Sequence, residues 1–175
     1  MRIYLDMDDT LMAFRDYAIA RGVPAWAGSW YTLPPELWSQ EQRDTQAATN
    51  ALMIRDDFWS NIPPTEGAHE LLAASFARAD TYLLTALPSG VDVRFHDNIR
   101  RQKIQSAWQK LHVPPERIIC VARPDKVRYA WDHFNIVQNV LIDDAEQNVR
   151  EWIDHDGIAH LFTDSACAVD FVKCL

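Results

Sequence analysis

Apolar runs of strand length alternate with segments of helical periodicity over most of the chain. Residues 2–6, 81–85, 117–121, 139–142 and, more weakly, 159–162 are dominated by apolar and β-branched side chains, the pattern of strands buried on both faces. Between them, Glu66 to Arg78 carries apolar residues at 68, 71, 72 and 76, and Val93 to Leu111 at 95, 99, 104, 107, 108 and 111, which predicts two amphipathic helices. Residues 125–134 and 145–154 are helical by composition, the second with Val149, Trp152 and Ile153 on one side. Proline pairs at 34–35, 63–64 and 114–115 punctuate the chain, because each disfavours helix just before it. Strands alternating with helices imply βα units, hence an α/β fold with a mainly parallel sheet and right-handed crossovers.

Residues 14–65 break this rhythm. They contain no convincing strand, yet hold Phe14, Tyr17, Trp26, Trp30, Tyr31, Trp38, Phe58 and Trp59. Residues 36–56 read as one helix opened by Pro34-Pro35, with Leu37, Trp38, Ala48, Ala51 and Leu52 available to pack. The expected organisation is a core built from residues 1–13 and 66–175, with a small helical insert, 14–65, over the C-terminal edge of its sheet.

Composition narrows the setting. The 175 residues bury a core without staples. No run approaches the roughly 20 apolar residues that span a bilayer, and the N-terminal stretch lacks signal-peptide character. Three cysteines without CxxC spacing predict unpaired thiols and a cytoplasmic protein. A net charge of −8 argues against a nucleic acid held by its backbone charge. It leaves room for a small phosphorylated ligand.

Candidate chemistry lies at two strand ends. The first apolar run stops in Asp6-Met7-Asp8-Asp9-Thr10, and the fourth in Asp143-Asp144. In a parallel sheet these carboxylates reach the same edge, where open α/β sheets bind ligands. Clustered carboxylates repel unless a cation sits among them. Without histidine or cysteine at zinc-like spacing, the expected ion is Mg²⁺. A calcium-loop reading of Asp6 and Asp8 fails for want of the mid-loop Gly and closing Glu. Thr85 ends the second strand at that edge as a candidate phosphate ligand. Lys103 and Lys126 are both candidates for the phosphate-binding cation.

Asp6-x-Asp8-x-Thr10, then Thr85, a later lysine and Asp143-Asp144, in this order on these elements, resembles the haloacid dehalogenase superfamily of phosphohydrolases. Within it the chain is similar to the 5′(3′)-deoxyribonucleotidases. Phe14 stands where that family stacks a base, and Asp57-Phe58-Trp59 with Pro63-Pro64-Thr65-Glu66-Gly67-Ala68 resembles the end of its cap. Lys103 to Trp108 resembles its lysine helix. Asp9-Thr10 and Ala86 depart from the Gly-Val and Ser common there, and the interval from Lys126 to Asp143 is longer.

The resemblance implies a three-layer Rossmann-like core with a helical cap after strand one, and Mg²⁺-dependent hydrolysis of a phosphomonoester through an aspartyl-phosphate. It gives Asp6 the nucleophile's role and Asp8 that of proton carrier. Asp6, the Asp8 carbonyl and Asp144 become metal ligands, with Asp143 beside them. It implies Thr85 and Lys103 or Lys126 on the phosphate, with Phe14, Phe58 and Trp59 on a nucleotide. Another small phosphometabolite, a polynucleotide 3′-end, or a binding role without catalysis are the competing expectations. A membrane partner is not expected, and a homodimer stays open.

Overall fold

The computed structural model describes residues 1–26, 34–132 and 137–175. Five strands, β1 (Arg2–Leu5), β2 (Asp80–Leu87), β3 (Ile118–Ala122), β6 (Val140–Asp143) and β7 (Ile158–Leu161), form one sheet in the order β3-β2-β1-β6-β7. Every pairing in it is parallel. β1 lies at the centre, so neighbours flank it on both sides and its C-terminal end opens beside those of β2 and β6.

Strand alternation divides the core into two layers. Ile3, Leu5, Leu83, Val140 and Ile142 point into a large apolar cluster. That cluster also takes in α4 (Ala68–Arg78), α5 (His96–Leu111) and α7 (Ser165–Cys174). Tyr4, Leu84 and Leu141 point the other way, onto Ala130 and onto Trp152 of α6 (Glu146–Asp154). The result is the three-layer parallel architecture expected from the alternating pattern.

Residues 14–65 contribute α1 (Phe14–Ala20), α2 (Gln40–Met53) and α3 (Phe58–Asn61). Hydrogen bonds clamp the two ends of this stretch together: Ala13 N donates to Pro63 O (2.9 Å), Thr65 N to Leu11 O (3.0 Å) and Thr65 Oγ1 to Thr10 O (2.8 Å). At the exit, Gly67 has φ +73°, and a Cβ there would meet the Cβ of Ser165 at 2.5 Å. Only glycine combines that conformation with that approach of α7.

Several expectations need correction. The long helix expected over 36–56 starts at Gln40, where Ser39 and Gln42 form a reciprocal capping box, because a serine offers the exposed amides a better start than the prolines do. Its buried side chains are Thr45, Thr49 and Met53, while Leu37 is 69% exposed. Spacing of i, i+4, i+8 seats two threonine methyls inward, and Thr49 Oγ1 satisfies itself on Thr45 O (2.7 Å).

Of the expected helix over 125–134, the described residues 125–132 do not form an α-helix. Arg123–Tyr129 is a run of 3₁₀ turns, followed by β4 (Trp131–Asp132), which pairs antiparallel with β5 (Val137–Gln138); positions 133 and 134 lie outside the described residues. On α6 it is Asn148 and Trp152 that are buried, and Ile153 is exposed. Trp30 and Tyr31 lie outside the described residues. The three cysteines are unpaired, and among the described residues no helix is long and apolar enough to cross a membrane.

Candidate active site

β1 continues past Leu5 by one ladder bond, Asp6 N to Ile142 O (2.8 Å), and then turns sharply. Leu11 N and Met12 N both donate to Met7 O, and Asp9 N to Met12 O (2.7 Å). The turn needs a left-handed residue, and Asp9 supplies it with φ 59°. Aspartate tolerates that region better than most side chains. Asp9 Oδ1 also accepts from Arg15 N (2.7 Å) at the start of α1. The third carboxylate of the motif is thus tied to Arg15 within the loop, although it lines the cavity beside Asp6 and Asp8.

Lys126 joins the two strand ends. Its Nζ donates to Asp6 Oδ1 at 2.5 Å and to Asp143 Oδ2 at 2.7 Å. Asp143 is otherwise fully engaged: Oδ1 accepts from Ala145 N (2.9 Å), and Asn148 Nδ2 reaches both of its oxygens (2.9 and 3.0 Å). Asp144 carries none of these bonds and faces the cavity. Ligand oxygens of Asp6, Asp143 and Asp144 lie within 4.8 Å of one another.

The electrostatics follow from this crowding. Burial first, and then Asp143 and Asp8, push the Asp6 carboxyl up to about 7, against the pull of Lys126. Burial together with Asp6 and Asp143 pushes Asp144 up to about 8. Burial alone would lower the Lys126 ammonium, but Asp143 and Asp6 more than offset it and hold it above its ordinary value. Three carboxylates gathered this closely are a set of oxygen donors suited to a hard divalent cation. Asp6 and Asp144 are the carboxylates with room for it, and Asp143 is the one already committed to Lys126 and Asn148.

Lys103 sits apart from this group. It is wholly buried, and donates to Asp8 Oδ2 (2.5 Å), Thr85 Oγ1 (2.8 Å) and Ala86 O (2.9 Å). The face of Trp59 lies 4.2 Å from its nitrogen. Neither Lys103 nor Thr85 lines the cavity; at that strand end the wall is Ala86 and Leu87. The structure thus separates the two lysines that composition left level, and does not bring Thr85 or Lys103 to the open surface.

The cavity measures about 630 Å³, within the range of small-molecule sites. Its floor includes Asp6, Asp8, Lys126 and Asp144, and its walls include Phe14, Trp26, Trp38, Gln46 and Asn50 from residues 14–65. Asn50 Nδ2 donates to Gly90 O (2.9 Å), closing α2 against the loop after β2. A Cβ at residue 90 would meet the Asn50 side chain at 2.8 Å.

Phe14 stacks on Trp59 (centroids 5.4 Å apart, 21° between planes) and meets Phe58 edge-on (5.8 Å, 89°). Phe58 does not line the cavity, and Trp59, which borders it, is 1% exposed. These two rings support Phe14 from behind, so of the three expected substrate-binding aromatics only Phe14 offers a partly exposed face to the cavity. Asn148, Gln46 and Asn50 escaped the sequence reading. Amides on helices otherwise polar look like solvent-facing positions, and nothing in their spacing marks them.

No protein-family model matches this chain, and no curated protein matches it by sequence. Two solved structures match it over nearly their whole length. A haloacid dehalogenase-like family hydrolase from Xanthomonas campestris superposes with a TM-score of 0.59 at 16% identity, covering 99% of this chain and 95% of that one. A hydrolase from Streptococcus pneumoniae TIGR4 gives 0.58 at 11% identity, with 98% and 97% covered. The chain shares the α/β fold of these two hydrolases.

Proposed function

We propose that this protein is a phosphomonoester hydrolase that works through an aspartyl-phosphate, with a nucleoside or deoxynucleoside monophosphate as substrate. The observation that carries the reading is Lys126 bonded to both Asp6 and Asp143 on a cavity floor beside Asp144. This lysine commits two of its three N–H groups to carboxylates and keeps one for a phosphate oxygen. Asp6 attacks phosphorus in line. The P–O bond to the leaving group breaks with its electron pair on oxygen, and the Asp8 carboxyl gives that oxygen its proton. Asp8 then takes a proton from water as the water attacks the aspartyl-phosphate and frees Asp6. Asp6, Asp144 and the Asp8 carbonyl would hold Mg²⁺, which when bound supplies neutralising charge to the phosphate oxygens.

Metal binding and protonation should compete. The unfolded chain ionises these two acids near the ordinary 3.8, whereas the folded one keeps their protons until about 7 and 8. Stability contributed by the raised pKa values is therefore complete below about 3.8 and lost as pH rises through the folded values. The metal-free protein should melt lower at pH 8 than at pH 6, and saturating Mg²⁺ should raise the melting temperature more at pH 8. Equal Mg²⁺ shifts at both pH values would remove these acids from the metal site.

The nucleotide part of the reading rests on Phe14, whose ring is backed by Trp59 and Phe58 and faces the cavity. Stacking a base on an aromatic ring is worth about 1–3 kcal/mol. Phe14→Ala should lower kcat/KM for a nucleoside monophosphate by roughly 5- to 150-fold relative to a small alkyl phosphate. Equal losses on the two esters would count against base stacking. Assaying a panel of phosphomonoesters with Mg²⁺ and with chelator tests the whole assignment; silence on every ester would favour a binding protein.

A further inference from the structure

We propose that Lys103 is a positioning residue that fixes the Asp8 carboxyl for proton transfer and makes no contact with phosphate; the inference rests on the phosphotransfer reading above. An ammonium has three N–H donors. Lys103 uses all three, on Asp8 Oδ2, Thr85 Oγ1 and Ala86 O, and Trp59 covers it at 4.2 Å. It is 0% exposed and off the cavity wall, so no donor is left to turn toward a ligand. Lys126, with one N–H uncommitted on the cavity floor, differs on both counts.

Asp8 needs such a partner. Its Oδ1 is buried and has no hydrogen-bond partner, so the Lys103 contact at Oδ2 is what sets the rotation of the carboxyl about Cβ–Cγ. The same ammonium also donates to Thr85 Oγ1 and Ala86 O, which ties this orientation to the end of β2. Trp59 extends the tie to residues 14–65, since the same ring stacks on Phe14. One buried cation thus connects the end of β2, the aromatic wall and the proton carrier. In the step it serves, the proton leaves the Asp8 carboxyl for the leaving oxygen as that oxygen takes the P–O electron pair. Fixing the donor's direction is where this lysine contributes.

The test is Lys103→Met, which keeps the volume and removes the charge. Two esters are compared under Mg²⁺: p-nitrophenyl phosphate, whose leaving group departs without a proton, and an alkyl phosphate, whose alcohol needs one. General acid catalysis contributes roughly 10²–10⁴-fold. The result is read in kcat/KM, because that ratio reports phosphoryl transfer and not the later attack of water. It is expected to fall by about 10²-fold or more on the alkyl ester and by less than about 10-fold on the aryl ester, while kcat falls on both esters where water attack limits turnover.

In an Asp8→Asn background, Lys103→Met should cost no further kcat on the aryl ester, because its action runs through Asp8. The melting temperature of the Lys103→Met variant should also rise when Asp8→Asn is added, since the carboxylate left without its cation is then gone. If the methionine variant does not fold, Lys103→Gln carries the same comparison. Equal losses of kcat/KM on both esters, falling on KM and persisting beside Asp8→Asn, would overturn the proposal in favour of a phosphate contact. Absence of turnover on either ester by the unaltered protein would overturn the phosphotransfer reading and this inference together.

Discussion

Asp6→Asn is expected to lower turnover by on the order of 10⁶-fold, the scale seen when an enzyme's nucleophile is removed, while the protein stays folded. The amide matches the carboxylate in size, so the bond from Asp6 N to Ile142 O that extends the central strand is kept. Its charge is absent, so no aspartyl-phosphate forms. Stability should hold or rise at pH 8, because the substitution removes one of the carboxylates crowding Asp144. Steady-state rates on a phosphomonoester, mass spectrometry of the trapped phosphoenzyme and a thermal melt decide the matter together. A fully active Asp6→Asn protein would end the covalent mechanism.

Lys126→Met should damage both fold and chemistry. Lys126 is buried and its partners Asp6 and Asp143 are 7% and 0% exposed at their side chains. Removing one partner of a buried ion pair costs about 3–5 kcal/mol, because the other charges stay behind. The ammonium's raised pKa means its contribution is complete at neutral pH and disappears only on strong alkalinisation. The deficit should therefore be largest at pH 8 and shrink on acidification, as Asp6 takes up its proton. Urea unfolding at pH 8 and pH 5 reads this directly. A variant as stable as the parent at pH 8 would show that Lys126 does not balance these acids.

The aspartates and the lysines were legible to different degrees, for reasons of range. Asp6 and Asp143 each follow an apolar run of strand length. Parallel neighbours expose the same end, so their convergence required only the strand assignment and the sheet's polarity. Lys103 and Lys126 offered no comparable rule. Lys103 lies on an ordinary helix between Gln102 and Ile104, and its burial comes from α5 meeting Trp59 and the end of β2. Lys126 lies in a segment whose composition suggested helix, whereas the chain winds through 3₁₀ turns that aim its ammonium between two strand ends. Asn148 and Asn50 were invisible for the same reason, since each acquires its role from a partner distant in space.

By itself, the sequence determined the alternation of strands and helices, the parallel sheet, and the acidic edge shared by Asp6, Asp143 and Asp144. Those features depend on periodicity and strand polarity, which act over a few residues. Only the tertiary structure decided that Lys126 stands between Asp6 and Asp143 while Lys103 stands behind Asp8, and that Phe14 faces the cavity while Phe58 supports it. A side chain's partners there are set by how separate elements pack, and packing is a property of the whole chain.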